Sequence, residues 1–348
     1  MKKRILVAPL NWGLGHATRS IPIIKALITH NYTPVIASDG MALKLLQKEF
    51  PEISTIELPA YNVTYAKKAK HFKIKLFMDA PKLLKAIKAE REVTKKIVAH
   101  EGIDGIISDN RLGVYSKKVP SVFITHQLRV LTGNTTWFST KVHQKIIKNF
   151  NVCWVPDVKG DPNLSGQLGH IDNFDMPLEY LGPLSRFNKK NTPILNDIMV
   201  LLSGPEPQRT RLENKLFKIL KPFKGHVVFV KGLIEQKQTI EVSRNMKIYN
   251  FMTSELLEKT INESALIISR SGYTTVMDLA KLNKKAFFIP TPGQFEQEYL
   301  AKRLTELQLV PSCNQDDFNL KKLDTINTYS GLKAFNFEVD YNRLFSLF

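Results

Sequence analysis

The sequence predicts an α/β protein built from two Rossmann-like, doubly wound domains facing across a cleft, and three observations lead there. Short β-branched runs alternate with amphipathic stretches of helical length, the pattern of a parallel sheet covered on both faces. That alternation breaks off in a turn-rich stretch near the middle of the chain and then begins again. At 348 residues the chain also exceeds one ordinary core and suits two.

Taken in order, strands are expected at 5–8, 33–37, 53–57, 105–108, 121–125 and 152–155, with helical spacing of apolar residues over 20–30 and 80–99. From 160 to 182 the text turns to Asp161-Pro162, Ser165-Gly166, Met176-Pro177 and Gly182-Pro183, which is turn chemistry. Residues 186–193 read as a linker, dividing a domain over 1–185 from one over 194–334. The second domain predicts strands at 198–202, 227–230, 246–249, 265–268 and 286–289, and helices at 208–220, through Leu256 and Leu257, at 275–282 and at 296–307. The apolar, aromatic stretch 335–348 is expected to be a closing helix that packs back on the first domain.

Composition narrows the class. Hydrophobic content of 43% with 24% charged residues belongs to a packed globular chain. No run reaches the roughly 20 apolar residues that span a bilayer, and the apolar run after Arg4 is too short for a signal peptide. Cys153 and Cys313 are the two cysteines, too few for a disulfide framework or a thiolate zinc site, so a cytoplasmic protein is expected. The net charge of +18 calls for an anionic partner. It concentrates between Thr64 and His100, where eleven Lys and Arg face three acids. Lys67, Lys68, Lys70, Lys73 and Lys75, interleaved with apolar side chains, suit an anionic membrane surface, which places the protein peripherally at the inner face of the cytoplasmic membrane. No nucleic-acid partner is expected, because stacking aromatics are not spaced among these cations.

Three strand-end loops carry candidate chemistry. Asn11-Trp12-Gly13-Leu14-Gly15-His16-Ala17-Thr18-Arg19 follows the first strand, where ligands of open α/β sheets bind, and His16 there could accept a proton near neutral pH. The same loop admits a dinucleotide reading, with Gly13 and Gly15 at a pyrophosphate and Asp39 on a ribose, although the third glycine of that fingerprint is missing. Ser203-Gly204-Pro205-Glu206-Pro207 again joins a strand to a helix start, a place that favours anions. Arg270-Ser271-Gly272-Tyr273-Thr274 is the most specific: hydroxyls and amides at a helix N-terminus, a cation for a phosphate, and Asp278 four residues after Thr274 on the same face to accept from ribose hydroxyls. No Cys, His and Asp cluster has metal-ligand spacing, so neither a metal nor an organic cofactor is expected.

The arrangement resembles the GT-B glycosyltransferases, and most closely family 28, which includes the bacterial lipid-II-forming N-acetylglucosaminyltransferase. That resemblance extends from residue 11 to 301 and is most specific in the Arg270 block. It implies that Asp278 binds ribose, that Glu296 and Gln297 read the donor sugar, and that Phe251 and Met252 contact the base. It further implies that Gly13, Gly15 and Thr18 form the acceptor loop with His16, and that His126 and Gln127 belong to a second histidine-containing site. The chain departs from the family in its Trp-Gly-Leu-Gly-His loop, in Glu296 where an amide is common, and in a phosphate loop poor in glycine. The expected reaction is inverting transfer of a hexose or N-acetylhexosamine from a UDP-sugar to a hydroxyl of a lipid-linked or cell-envelope glycan. His16 acts as base, oriented by Asp109, with His126 as the alternative base. A nucleotide-sugar epimerase and a nicotinamide-dependent oxidoreductase are the competing expectations.

Overall fold

The structure is a computed structural model and describes residues 2–61, 72–172, 174–233, 235, 237–332 and 338–348, with backbone alone for 72–81. The chain divides into two compact units, Met1–Arg186 with Asn336–Phe348, and Phe187–Phe335. Each carries its own sheet, parallel in the first unit and parallel but for one antiparallel edge strand in the second.

In the first unit the strands are β1 (Arg4–Pro9), β2 (Thr33–Ser38), β3 (Thr55–Glu57), β4 (Gly105–Asp109), β5 (Ser121–Ile124), β6 (Val152–Val155) and β7 (Leu178–Tyr180). Between them run α1 (Gly15–Thr29), α2 (Gly40–Glu49), α3 (Phe72–His100) and α4 (Thr136–Ile147). The sheet order is β3-β2-β1-β4-β5-β6-β7, parallel throughout. The chain builds outward from β1 in one direction, then crosses over and builds outward from β4 in the other. The crevice at the carboxyl ends of β1 and β4 is therefore the topological switch point, where open α/β sheets bind ligands. Both strands are buried on both faces, which is why 5–8 and 106–107 read as unbroken apolar runs.

The second unit contains β8 (Asn196–Leu201), β9 (Val227–Val230), β10 (Ile240–Ser243), β11 (Met246–Tyr249), β12 (Ser264–Ser269) and β13 (Lys285–Phe288). Its helices are α5 (Gln208–Leu220), α6 (Ser254–Asn262), α7 (Tyr273–Lys281) and α8 (Phe295–Glu306). The order β10-β11-β9-β8-β12-β13 puts its switch point between β8 and β12, paired as far as Ser269 opposite Leu201. Leu212, Leu216 and Leu220 recur at helical spacing on α5, fully buried against Phe229 and Ile248 of the sheet. Each such side chain contributes about 1.5–3 kcal/mol by leaving water, which anchors the helix whose N-terminus borders the switch point.

One boundary differs from expectation. Phe187 is 2% exposed, and Asn188 and Lys190 donate from their backbones to Glu258 and Asn262 of α6, so most of the expected linker is folded into the second unit. The closing helix, α9 (Tyr341–Phe345), belongs to the first unit. There the Phe345 carbonyl accepts from Tyr32 Oη at 3.0 Å, while its ring lies 6.3 Å from that of Trp154.

Candidate active site

Helix α1 starts at Gly15 rather than at residue 20, because Gly13 lets the preceding loop complete a turn within five residues. Gly13 holds φ at +71°, the left-handed region that only glycine enters without strain. The early start places His16 and Arg19 one turn apart on the same face. Both meet Asp109 at the end of β4, across the switch point.

His16 Nδ1 lies 2.9 Å from Asp109 Oδ1. Arg19 Nε donates to Asp109 Oδ2 at 2.5 Å, and its Nη2 also donates to Oδ1. The same guanidinium reaches His16 Nδ1 at 2.8 Å and, from Nη1, His126 Nδ1 at 3.2 Å. Asp109 and Arg19 are almost fully buried, whereas the His16 side chain keeps 16% exposure. Burial lowers the His16 imidazole below its ordinary value; Asp109 opposes that shift and Arg19 reinforces it. Burial pushes the Asp109 carboxyl up, but Arg19 and His16 together hold it down at about 2, so it stays ionised. A neutral imidazole backed by a permanent carboxylate is equipped to take a proton. His126 follows β5 at 5% exposure, and Gln127 donates its backbone N–H to Thr125 Oγ1 at 3.0 Å. The Thr18 hydroxyl donates to the Gly15 carbonyl at 3.0 Å, so it shapes the loop from within.

Asp39 does not serve the dinucleotide reading. It is 7% exposed, with one carboxylate oxygen taken by Arg111 and the other by Asn11 Nδ2 at 3.0 Å. Arg111 in turn donates to Glu90 at 2.7 Å and to the Pro9 carbonyl at 3.1 Å, tying β1, β2, β4 and α3 together. A carboxylate so committed is structural, and the ribose role assigned with it falls away.

In the second unit every donor-side candidate follows the carboxyl end of a parallel strand, and all therefore lie along one sheet edge. Ser203 and Gly204 are exposed after β8. Phe251 and Met252 are half-buried after β11, and the Phe251 N–H donates to buried Asn250 at 2.9 Å. Gly272 caps α7 without a side-chain bond, so the first-turn N–H groups around Thr274 have no partner within the helix, and Asp278 is half-buried one turn on. Glu296 is half-buried in the first turn of α8.

Arg270 and Ser271 have another role than the phosphate contact expected of them. Arg270 is 1% exposed, and its Nη1 donates to the carbonyls of Ile289 and Pro290 at 3.0 and 2.9 Å. Its Nη2 donates to the Gln208 carbonyl at 3.0 Å and to Gln315 Oε1 at 2.7 Å. All four terminal hydrogens are thus engaged, and the side chain fastens the loops after β8, β12 and β13 to one another. Ser271 Oγ donates to the Gln297 carbonyl at 2.8 Å, while buried Gln297 accepts the Thr291 N–H through Oε1 at 2.8 Å. The hydroxyl of Ser271 and the amide oxygen of Gln297 build the loop from inside. Gly232, absent from the expected set, shares this edge: a Cβ there would come within 2.1 Å of the Leu202 carbonyl. Only glycine lets the loop after β9 pass so close to the loop after β8.

Among the described residues no group of three or more His, Cys, Asp or Glu side chains is placed to hold a metal ion, and no helix is long and apolar enough to cross a membrane.

Residues 217–327 match the glycosyltransferase family 28 C-terminal domain. A relative in Clostridium tetani, named UDP-N-acetylglucosamine–N-acetylmuramyl-(pentapeptide) pyrophosphoryl-undecaprenol N-acetylglucosamine transferase, is 26% identical over 83% of this chain and 78% of its own. Among solved structures, the spinosyn rhamnosyltransferase SpnG superposes with a TM-score of 0.64 at 12% identity, covering 94% of this chain and 93% of its own. MurG of Acinetobacter baumannii superposes at 0.57 with 14% identity, covering 94% and 90%. With two Rossmann-like units and transferase relatives along most of its length, the chain is a glycosyltransferase of GT-B fold whose residues 217–327 carry the family 28 C-terminal domain.

Proposed function

We propose that the protein transfers a hexose or N-acetylhexosamine, with inversion, from a UDP-sugar to a hydroxyl of a lipid-linked or cell-envelope glycan acceptor. The observation that carries this is the 2.9 Å contact of His16 with Asp109 at the switch point of the first unit. His16 removes the acceptor proton through Nε2 as the oxygen attacks the anomeric carbon, and Asp109 stabilises the imidazolium that forms. The acceptor lies along the loop of Gly13 and Gly15, with Gln127 near His126. The leaving diphosphate is met by amides at the start of α7 and in the loop of Ser203 and Gly204, where helix dipoles favour negative charge. Asp278 accepts from the ribose, Phe251 and Met252 flank the base, and Glu296 with Gln297 reads the sugar. The scheme calls on neither a metal nor an organic cofactor.

A lipid-linked acceptor is in keeping with the name of the Clostridium tetani relative and places the protein peripherally at the inner membrane face. Lys67, Lys68 and Lys70 lie outside the described residues, as do the side chains of Lys73 and Lys75. Within them, Trp137 and Phe138 on α4 are 73% and 57% exposed, next to exposed Lys141 and Lys145, a mixture suited to an anionic bilayer surface.

Ligand-induced thermal stabilisation tests the donor assignment. UDP-sugars are expected to raise the melting temperature and NAD to leave it unchanged; stabilisation by NAD alone overturns the proposal. Asp278→Ala is expected to weaken UDP-sugar binding about ten- to a hundredfold, since a lost charge-assisted hydrogen bond costs about 1.5–3 kcal/mol. Isothermal titration checks this, and unchanged affinity removes Asp278 from the donor site.

A further inference from the structure

The cluster around Asp109 contains one group to which the transfer reaction assigns no task. Arg19 is 2% exposed and sits one turn after His16 on α1. Its guanidinium holds the carboxylate side-on, Nε to Oδ2 at 2.5 Å and Nη2 to Oδ1. The far end of the fork meets two rings, His16 Nδ1 at 2.8 Å and His126 Nδ1 at 3.2 Å. A guanidinium can only donate, so each Nδ1 facing it is favoured as a lone pair. Asp109 Oδ1, 2.9 Å from His16 Nδ1, asks that same atom for a proton. His16 Nδ1 is thus shared between a fixed donor and a fixed acceptor.

We propose that Arg19 is the positioning residue of this site: it fixes both imidazoles by their Nδ1 atoms around one carboxylate and competes with Asp109 for Nδ1 of His16. Of the two neutral forms, the one with Nδ1–H turned to Asp109 leaves Nε2 free to take the acceptor proton, and Arg19 opposes the charged ring that results, so that the ring releases this proton and one turnover can follow another. This rests on the assignment of His16 as the base.

The groups facing His16 come from three elements: Arg19 on its own helix, Asp109 from β4 and His126 after β5. Asp109 favours the charged ring, whereas burial, Arg19 and His126 oppose it. Removing Arg19 therefore leaves Asp109 with less opposition, and the proton affinity of His16 rises.

Arg19→Gln and Arg19→Lys, made in the full chain, test this through histidine ¹⁵N titration and the pH profile of transfer. In Arg19→Gln the His16 midpoint is expected to rise by about one pH unit, and the acid limb of kcat/KM to rise with it, with the loss in kcat rather than in KM for the donor. Lysine keeps a cation for Asp109 but lacks the fork, so in Arg19→Lys the His16 Nδ1 resonance is expected to move toward the protonated, N–H form. That second variant carries the test if glutamine prevents folding. Folded variants whose His16 midpoint and Nδ1 shift match the wild type overturn the proposal. A wild-type protein that transfers no sugar, yet whose His16 responds to Arg19 as stated, defeats the transferase assignment alone.

Discussion

His16→Ala is expected to reduce turnover about a hundred- to ten-thousandfold, the usual contribution of a positioned general base, while UDP-sugar binding persists. The donor elements all belong to the other unit, so a variant that loses its base keeps them. Steady-state kinetics with parallel calorimetry separates the two quantities. Full turnover in His16→Ala shifts the base role to His126. Because burial and Arg19 lower the His16 imidazole, its neutral, proton-accepting form persists below the ordinary midpoint of 6.5. Activity is therefore expected to hold through neutrality and to fall on the acid side with a midpoint under 6.5. Asp109, held at about 2, contributes no limb to the profile at working pH.

The second large effect is expected at Arg270. Arg270→Met leaves the carbonyls of Gln208, Ile289 and Pro290 and the side-chain oxygen of Gln315 without this donor. Buried acceptors deprived of a partner cost about 1–3 kcal/mol each, so a loss above about 3 kcal/mol is expected, near the upper end for single substitutions. For a unit of this size that lowers the melting temperature by about 10 °C. Donor binding is expected to fall as well, because the loops after β8, β12 and β13 come apart together. Calorimetry distinguishes this from direct phosphate pairing: weakened binding with an unchanged melting temperature would mean that Arg270 contacts the donor.

Much of this architecture is legible in the sequence, and the reasons for the rest are physical. Buried parallel strands such as 152–155 and 227–230 are bare apolar runs and give their own boundaries. Edge strands carry no such signal: β10 pairs on one side only and is largely exposed, and β7 has three residues. Helix α4 escapes notice because Trp137, Phe138 and Val142 point outward and blur its helical period. At the site, His16 and Asp109 can be paired from their positions after two first-domain strands, which prove to be adjacent in the sheet. Arg19 cannot, since an arginine in a first helical turn reads as a surface cation until the carboxylate it neutralises is located. Arg270 misleads in the same way: a cation beside a helix N-terminus suggests a phosphate, whereas its hydrogens go to backbone carbonyls that the sequence does not display. Asp39 reads as a ribose ligand only while Arg111, 72 residues away, is not known to face it.

The central claim is acceptor-dependent sugar transfer, and its most direct measurement is a panel of labelled UDP-sugars incubated with the full chain and lipid extracts. The expected result is release of UDP only when the extract is present, with label entering the lipid fraction in inverted anomeric configuration. Release of UDP without any acceptor, or recovery of label as an epimerised sugar, would contradict it.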